Sequence, residues 1–180
     1  MIEMYSVTQI TAPYFNVKGK IPQNRIEGGI VRGNETHKFC TTTALKEWIP
    51  KPILYEGYCD SFLWWFDNCV EEVLLVEQRL EDPILGFFGH PDFIVKIKGN
   101  RFPCVVDLKT PLSKSKLWRA QIAAYTHLAI KNGFGPILSP GGSLRLKEDG
   151  SHPKMDYYEF QYGDLAAFIS LLNWTRWLNG

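Results

Sequence analysis

The chain has almost no net charge, few cysteines and no cysteine cluster. Its 20 Lys and Arg stand against 19 Asp and Glu, which leaves a net charge of +1. Only a local basic patch would therefore attract nucleic acid, and the overall charge neither requires nor excludes such a partner. The four cysteines form no CxxC pair and have no zinc or iron–sulfur spacing. We expect reduced thiols and no iron–sulfur cluster.

Long apolar runs, repeats and low-complexity tracts are also missing. No run approaches the roughly 18 apolar residues of a membrane span, and residues 1–20 lack the pattern of a secretory signal. The 45% hydrophobic and 14% aromatic residues suffice for one globular core. We expect a single domain over residues 1–180, in a soluble, cytoplasmic protein that has no membrane partner.

The most informative stretch begins with two runs of alternating apolar residues at 86–98 and 101–109. They flank Gly99-Asn100, and this pattern predicts a hairpin of two central strands. If these two residues alone form the turn, Phe93 faces Val106 across the ladder and one face of the hairpin is wholly apolar.

On the opposite face, the same register places Asp92 directly across from Asp107, with Cβ atoms about 4.5–5.5 Å apart. Like charges in this position repel, so either a cation lies between the carboxylates or one of them keeps its proton. Lys109 lies two residues further, on the same face. Two hard oxygen ligands and a nearby ammonium suit metal-dependent phosphodiester hydrolysis. A surface Asp–Lys ion pair is the simpler interpretation.

The remaining pattern predicts helices around this hairpin. Residues 5–31 are expected to be irregular. The predicted elements are a helix at 34–48 capped by Asn34 with His37 in its first turn, a buried helix at 58–76, a strand near 76–80, a helix from 110–113 to 132, a hairpin of 136–147 with 154–160, and a helix at 163–178.

The helix after Lys109 carries further polar candidates. Gln121 and Tyr125 are four residues apart and share one helical face, from which their polar tips can point toward the acids. Three cations crowd the start of this helix, namely Lys114, Lys116 and Arg119. They either contact a DNA phosphate backbone or form a solvated helix end. Trp118 either stacks on a base or packs against the sheet.

These elements resemble the RecB-type branch of the PD-(D/E)XK nuclease superfamily. The resemblance spans residues 32–125, and its motifs are Arg32-Gly33, His37, Gly89-His90-Pro91-Asp92, Asp107-Leu108-Lys109 and Gln121-xxx-Tyr125. The chain departs from the family at Asp107, where many members carry Glu, and it lacks the cluster cysteines of some members. Glu77 lies near a position where such sequences often carry Glu, and we interpret it as a structural partner rather than a ligand.

The resemblance implies an α/β fold with a restriction-endonuclease-like core, in which helices flank a mixed central sheet. It implies a Mg²⁺- or Mn²⁺-dependent deoxyribonuclease, an exonuclease of replication, recombination or repair that acts on DNA with single strands or free ends. The implied metal ligands are His37, Asp92, Asp107 and the backbone carbonyl of Leu108. Lys109 would position or help deprotonate the attacking water, and Gln121 and Tyr125 would hold this lysine or the DNA backbone.

Two other functions fit parts of the pattern. A nuclease-fold module can grip DNA or a replication partner without cutting, although it would not need the opposed acids. Two carboxylates about 5 Å apart would also suit a retaining glycosidase, but Lys109 and the scarcity of other sugar-site residues argue against this reaction.

Overall fold

The computed structural model describes residues 3–15, 22–111, 114–135, 138–159 and 162–180. In these residues it contains five α-helices and two mixed β-sheets, which confirms the mixed α/β class. The strands are β1 Tyr5–Ser6, β2 Val70–Val76, β3 Leu80–Asp82, β4 Phe87–Gly89, β5 Phe93–Ile97, β6 Cys104–Lys109, β7 Gly141–Arg145 and β8 Lys154–Tyr158. The helices are α1 Val7–Thr11, α2 Gln23–Ala44, α3 Glu56–Cys69, α4 Leu117–Lys131 and α5 Tyr162–Asn179.

The larger sheet has the strand order β2-β5-β6-β7-β8. Strand β5 is antiparallel to both β2 and β6, β6 is parallel to β7, and β7 is antiparallel to β8. A parallel pair needs a crossover connection, and α4 lies in the segment between β6 and β7. The smaller sheet has the order β1-β4-β3.

Helices cover both faces of the larger sheet. On one face, α1, α4 and α5 pack against residues such as Ile94 and Val105. On the other face, α2 and α3 pack against residues such as Val95 and Val106. Because side chains alternate along a strand, Asp107 shares the face of Val105 and points toward the α4 layer.

The predicted register of the central hairpin is confirmed, because Phe93 pairs with Val106 and Val95 with Cys104. The predicted two-residue turn is wrong. Residues 98–103 connect the strands, since Ile97 pairs with β2 and the N–H of Lys98 donates to the carbonyl of Cys69. The predicted strand 86–98 is also wrong as one element, because residues 90–92 divide it into β4 and β5, which lie in different sheets.

Helix α2 differs most from the sequence-based expectation. It begins at Gln23, so Asn34 lies inside the helix instead of capping it, and His37 lies in its second half. It ends at Ala44, four residues before the predicted end at residue 48. Its buried residues Phe39, Cys40 and Ala44 pack on the sheet, and tertiary packing of this kind stabilises a helix despite local signals against it.

The segment after α2 also needs one correction. The predicted helix 58–76 is a helix only to Cys69, because the apolar run that follows forms β2 and pairs with β5. A short buried strand cannot be told from a buried helix by periodicity alone. The predicted strand near 76–80 is wrong, because residues 77–79 lie outside any strand and separate β2 from β3, which belong to different sheets.

The C-terminal half agrees with expectation. Helix α4 starts later than expected, at Leu117, but it ends before Gly133, which has a φ of +89°. The β7–β8 hairpin and helix α5 are confirmed. Parts of the predicted segments, at 16–21, 112–113, 136–137 and 160, lie outside the described residues. All four cysteines are free thiols. In the ranges given above, none of the helices combines the length and the apolar character needed to cross a membrane.

Candidate active site

The two predicted acids lie side by side near the joined ends of β5 and β6. Asp92 directly precedes β5, and its Oδ2 accepts the N–H of Leu108 at 2.6 Å. The side chain of Asp92 is 11% exposed and that of Asp107 is 4% exposed. Both carboxylates are therefore held inside the protein, next to one another, as the hairpin register predicts.

Asp107 has an unusual electrostatic environment. The pKa of Asp107 is raised to about 6. Burial is the main cause, the neighbouring Asp92 adds to it, and Lys109 opposes it. Its Oδ2 forms an ion pair with Lys109 Nζ. Nevertheless, this buried oxygen has no aligned hydrogen-bond donor among the described residues. An ionised carboxylate has about four lone-pair sites, so the contact with Lys109 leaves sites that a hard cation can use.

His37 reaches the acids from α2. Its Nε2 lies 2.7 Å from Asp92 Oδ1, and its Nδ1 lies 3.0 Å from Glu77 Oε1. Burial lowers the pKa of His37, but the two carboxylates outweigh this effect and raise it to about 11. The imidazolium donates both N–H groups in this state. A direct bond from His37 to a metal would require Nε2 to exchange its contact with Asp92 for the ion.

Glu77 joins the site at the end of β2. Its backbone N–H donates to the carbonyl of Asp92 at 3.2 Å, and its φ is +48°. A residue other than glycine rarely adopts this left-handed conformation, and such strain often accompanies functional sites. The hydrogen bond from His37 lowers the pKa of Glu77. Sequence reasoning left Glu77 out of the site because only the pairing of β2 with β5 brings it to Asp92.

Lys109 is held in place by the two polar residues of α4. Its Nζ donates to Gln121 Oε1 at 3.1 Å, and Gln121 Nε2 donates to the hydroxyl of Tyr125 at 3.4 Å. Burial raises the pKa of Tyr125, so its hydroxyl stays neutral. The Trp118 ring centroid lies 5.7 Å from Lys109 Nζ, and Trp118 is only 4% exposed. This burial favours packing inside the protein over stacking on a base.

Gly89 explains how Tyr125 comes so close to the strands. A Cβ at Gly89 would lie 2.6 Å from Tyr125 Cε1 and 3.0 Å from Val7 Cγ2. The aromatic ring is buried and cannot move aside. The glycine that precedes Asp92 in the motif thus makes room for the tyrosine that orients Gln121.

We expect Gly89→Ala to lower the free energy of unfolding by about 1–3 kcal/mol, because the added methyl group overpacks this contact. Thermal denaturation followed by circular dichroism measures the change. Gly163→Ala is the matched control, since a Cβ at Gly163 meets no atom within 4 Å. Equal melting temperatures for the two variants would contradict the steric role of Gly89.

Two of the three cations predicted to contact DNA already have carboxylate partners. Lys114 forms an ion pair with Asp156 at 2.5 Å, and Arg119 forms one with Asp164 at 3.0 Å. Lys116 is exposed at the start of α4. Binding of a phosphate by Lys114 or Arg119 would therefore have to compete with these ion pairs.

The sheet instead aligns a row of cations that sequence reasoning missed. Lys109 pairs with Arg145 of β7, and Arg145 pairs with Lys154 of β8. Paired residues share a face, and neighbouring strands lie about 4.8 Å apart. Arg145 Nε also donates to Asp156 Oδ2 at 2.6 Å, whereas Lys154 is exposed. Only the parallel pairing of β6 with β7 creates this basic row.

The donor set fits a particular kind of metal site. Within the described ranges, no group of three His, Cys, Asp or Glu side chains is arranged to hold one ion. The site offers two carboxylates, one of which also contacts Lys109. Mg²⁺ is commonly bound in this way, because it keeps several waters and uses one or two carboxylates together with substrate phosphates.

No family model matches the chain, and no curated protein matches it significantly.

Proposed function

We propose that the protein is a Mg²⁺- or Mn²⁺-dependent deoxyribonuclease with a restriction-endonuclease-like core, of the RecB-type PD-(D/E)XK kind. We further propose that it is an exonuclease that acts in DNA replication, recombination or repair. The observation that carries this proposal is the pair of buried carboxylates, Asp92 and Asp107, with Lys109 in contact with the second. Hydrolysis of a phosphodiester needs a divalent cation, an oriented water and a positive charge near the phosphate.

Asp92 and Asp107 would hold the ion, together with the backbone carbonyl of Leu108. His37 would act as a further ligand or as the group that orients Asp92. The bound ion would lower the pKa of a water and stabilise the charge that grows on the phosphate. The contact of Asp107 Oδ2 with Lys109 does not use every lone-pair site of this carboxylate, and a bound cation would use the remaining ones.

Lys109 supplies the positive charge beside the reacting water. Its ammonium is held by Asp107 and by Gln121, and Tyr125 fixes the amide of Gln121. A donor held in this way needs little reorganisation when charge develops on the phosphate, which is the main source of electrostatic catalysis. Tyr125 therefore positions Gln121, and Gln121 positions the Lys109 ammonium beside the attacking water.

The row of Lys109, Arg145 and Lys154 supports binding of a DNA backbone at the same end of the sheet. Phosphate contacts of this type position the nucleic acid without reading its sequence. Arg145 is partly neutralised by Asp156, so the exposed Lys154 and Lys116 would provide most of the attraction. Affinity that depends on these cations falls as salt rises.

We expect the protein to cleave DNA only when Mg²⁺ or Mn²⁺ is present. End-labelled linear single-stranded, linear duplex and circular DNA are each incubated with either metal and with EDTA. Metal-dependent loss of the linear molecules, with circular DNA intact, indicates an exonuclease. Binding of DNA by the protein without cleavage under all of these conditions would contradict the proposal and would favour a non-cleaving binding module.

A further inference from the structure

A groove of about 210 Å³ lies between α2 and the end of β6, directly beside Lys109. On the α2 side it is lined by Gly29, Gly33 and Thr36, and on the other side by Lys109, Thr110 and Pro111. Its volume equals that of about seven liquid waters, which is the scale of one nucleoside. The groove therefore has room for a single unstacked unit of a nucleic acid.

The glycines on α2 keep this groove open. Gly29, Gly33 and Thr36 recur at helical spacing and share one face of α2. A Cβ at Gly33 would meet no atom within 4 Å, and one at Gly29 would meet only Arg32 Nη2, at 3.8 Å. Glycine is a poor helix former, and packing against the described residues does not require it at either position. The absence of side chains at these two positions leaves the groove open.

Thr36 points independently to a ligand. It is 1% exposed, it lines the groove, and its Oγ1 has no hydrogen-bond partner in the described part of the chain. A buried hydroxyl is normally paired, and an unpaired one is unfavourable. A ligand group that donates to Thr36 Oγ1, or accepts from it, would satisfy this atom.

We infer that the groove binds the base and sugar of the one nucleotide that adjoins the phosphate at Asp92 and Asp107. The lining is mostly apolar, with the hydroxyls of Thr36 and Thr110, and its charged side chains, His37 and Lys109, contact the two acids. Such a surface suits the base and sugar of a nucleotide whose phosphate lies at the acids. A nucleotide seated there is unstacked from its neighbours, which costs least for DNA that is already single stranded. This inference rests on the proposed nuclease function and adds to it a site that selects unpaired ends.

Gly33→Leu fills the groove without altering any of the acids or Lys109. Gly28→Leu is the matched control, because Gly28 lies in the same helix, a Cβ there also meets no atom within 4 Å, and the residue does not line the groove. Leucine is a good helix former, so both variants are expected to fold with melting temperatures no lower than that of the unchanged protein. We expect Gly33→Leu to lower kcat/KM on a single-stranded oligonucleotide about 10-fold or more, and Gly28→Leu to leave it within about twofold.

A second substrate separates the groove from the metal site. In an oligonucleotide with abasic residues at its cleaved end, the base that fills the groove is missing. We expect the unchanged protein and Gly33→Leu to cleave this oligonucleotide at similar, reduced rates. Thr36→Val, which removes only the hydroxyl, is expected to weaken binding of the normal oligonucleotide and to leave binding of the abasic one unchanged.

The outcomes distinguish the two proposals. Suppose that the unchanged protein cleaves DNA and that Gly33→Leu and Gly28→Leu have equal kcat/KM on the normal oligonucleotide. In that case the groove does not bind a nucleoside, and the nuclease function stands. If the unchanged protein does not cleave, the nuclease function fails. In that case, fluorescence anisotropy with the same oligonucleotides still decides the groove, since equal affinities of the two leucine variants would overturn it.

Discussion

Lys109→Ala is expected to lower the rate of metal-dependent DNA cleavage by at least about 10²–10³-fold. Its ammonium contacts Asp107 and donates to Gln121 Oε1 at 3.1 Å, so its removal takes away the cation that the described residues hold against Asp107. The rate on end-labelled linear single-stranded DNA with Mn²⁺ measures the effect. Circular dichroism shows whether the variant is folded.

Lys96→Ala is the control for loss of a lysine on a neighbouring strand. Lys96 lies on β5 and forms an ion pair with Glu71 at the surface. A surface ion pair contributes little to stability, so this variant is expected to cleave DNA at the rate of the unchanged protein. Full cleavage by Lys109→Ala would rule out the role assigned to this lysine.

Asp107→Asn is expected to abolish cleavage and Mn²⁺ uptake without destabilising the fold. The amide has nearly the same shape as the carboxylate but lacks the charge that a hard cation requires. Isothermal titration calorimetry with Mn²⁺ and the cleavage assay measure the two losses. Uptake of Mn²⁺ by Asp107→Asn equal to that of the unchanged protein would show that the ion is not bound between the acids.

The Asp107→Asn variant should lose activity but should not lose stability. The pKa of Asp107 is raised to about 6, chiefly by burial, from an ordinary value near 4. A raised pKa means that the stability present below pH 4 is lost as the pH rises through 6, by at most about 3 kcal/mol. Asparagine avoids this loss, although Lys109 then lacks its partner.

We therefore expect the melting temperature of Asp107→Asn at pH 8 to equal or exceed that of the unchanged protein, and the advantage to disappear at pH 4. A decrease of more than about 5 °C at pH 8, equivalent to between 1 and 3 kcal/mol for a chain of this size, would contradict this account. Active sites often carry such a cost, because groups arranged for catalysis are not arranged for stability.

Local patterns predicted the pairing of the two strands that brings Asp92 and Asp107 together. Alternating apolar residues in β5 and β6 leave one register that buries them all, and a slip by one residue would turn Phe93 and Val106 toward the wrong face. That register alone brings Asp92 to Asp107, even though the turn between the strands is longer than expected. The spacing of Gln121 and Tyr125 on one helix was predictable for the same reason, since helical periodicity is a local property.

Local signals misled where tertiary contacts outweigh them. Asn34 has the chemistry of a helix cap, but α2 starts eleven residues earlier, at Gln23, because its buried face packs on the sheet. His37 nevertheless reaches Asp92, since a helix on that face passes the end of β5 whatever its first residue is. The exposed cations at the start of α4 were identified from sequence, but their carboxylate partners, Asp156 and Asp164, come from distant segments.

The sequence by itself determined the paired acids, the lysine beside them and the glutamine and tyrosine that follow. All of these depend on the periodicity of single strands and helices and on one hairpin register. The tertiary structure alone decided the contact of Glu77 with His37, the row of Lys109, Arg145 and Lys154, and the groove beside Gly33. Each of these joins elements that are far apart in the chain, and the pairing of such elements is set by how the whole core packs, which no local pattern encodes.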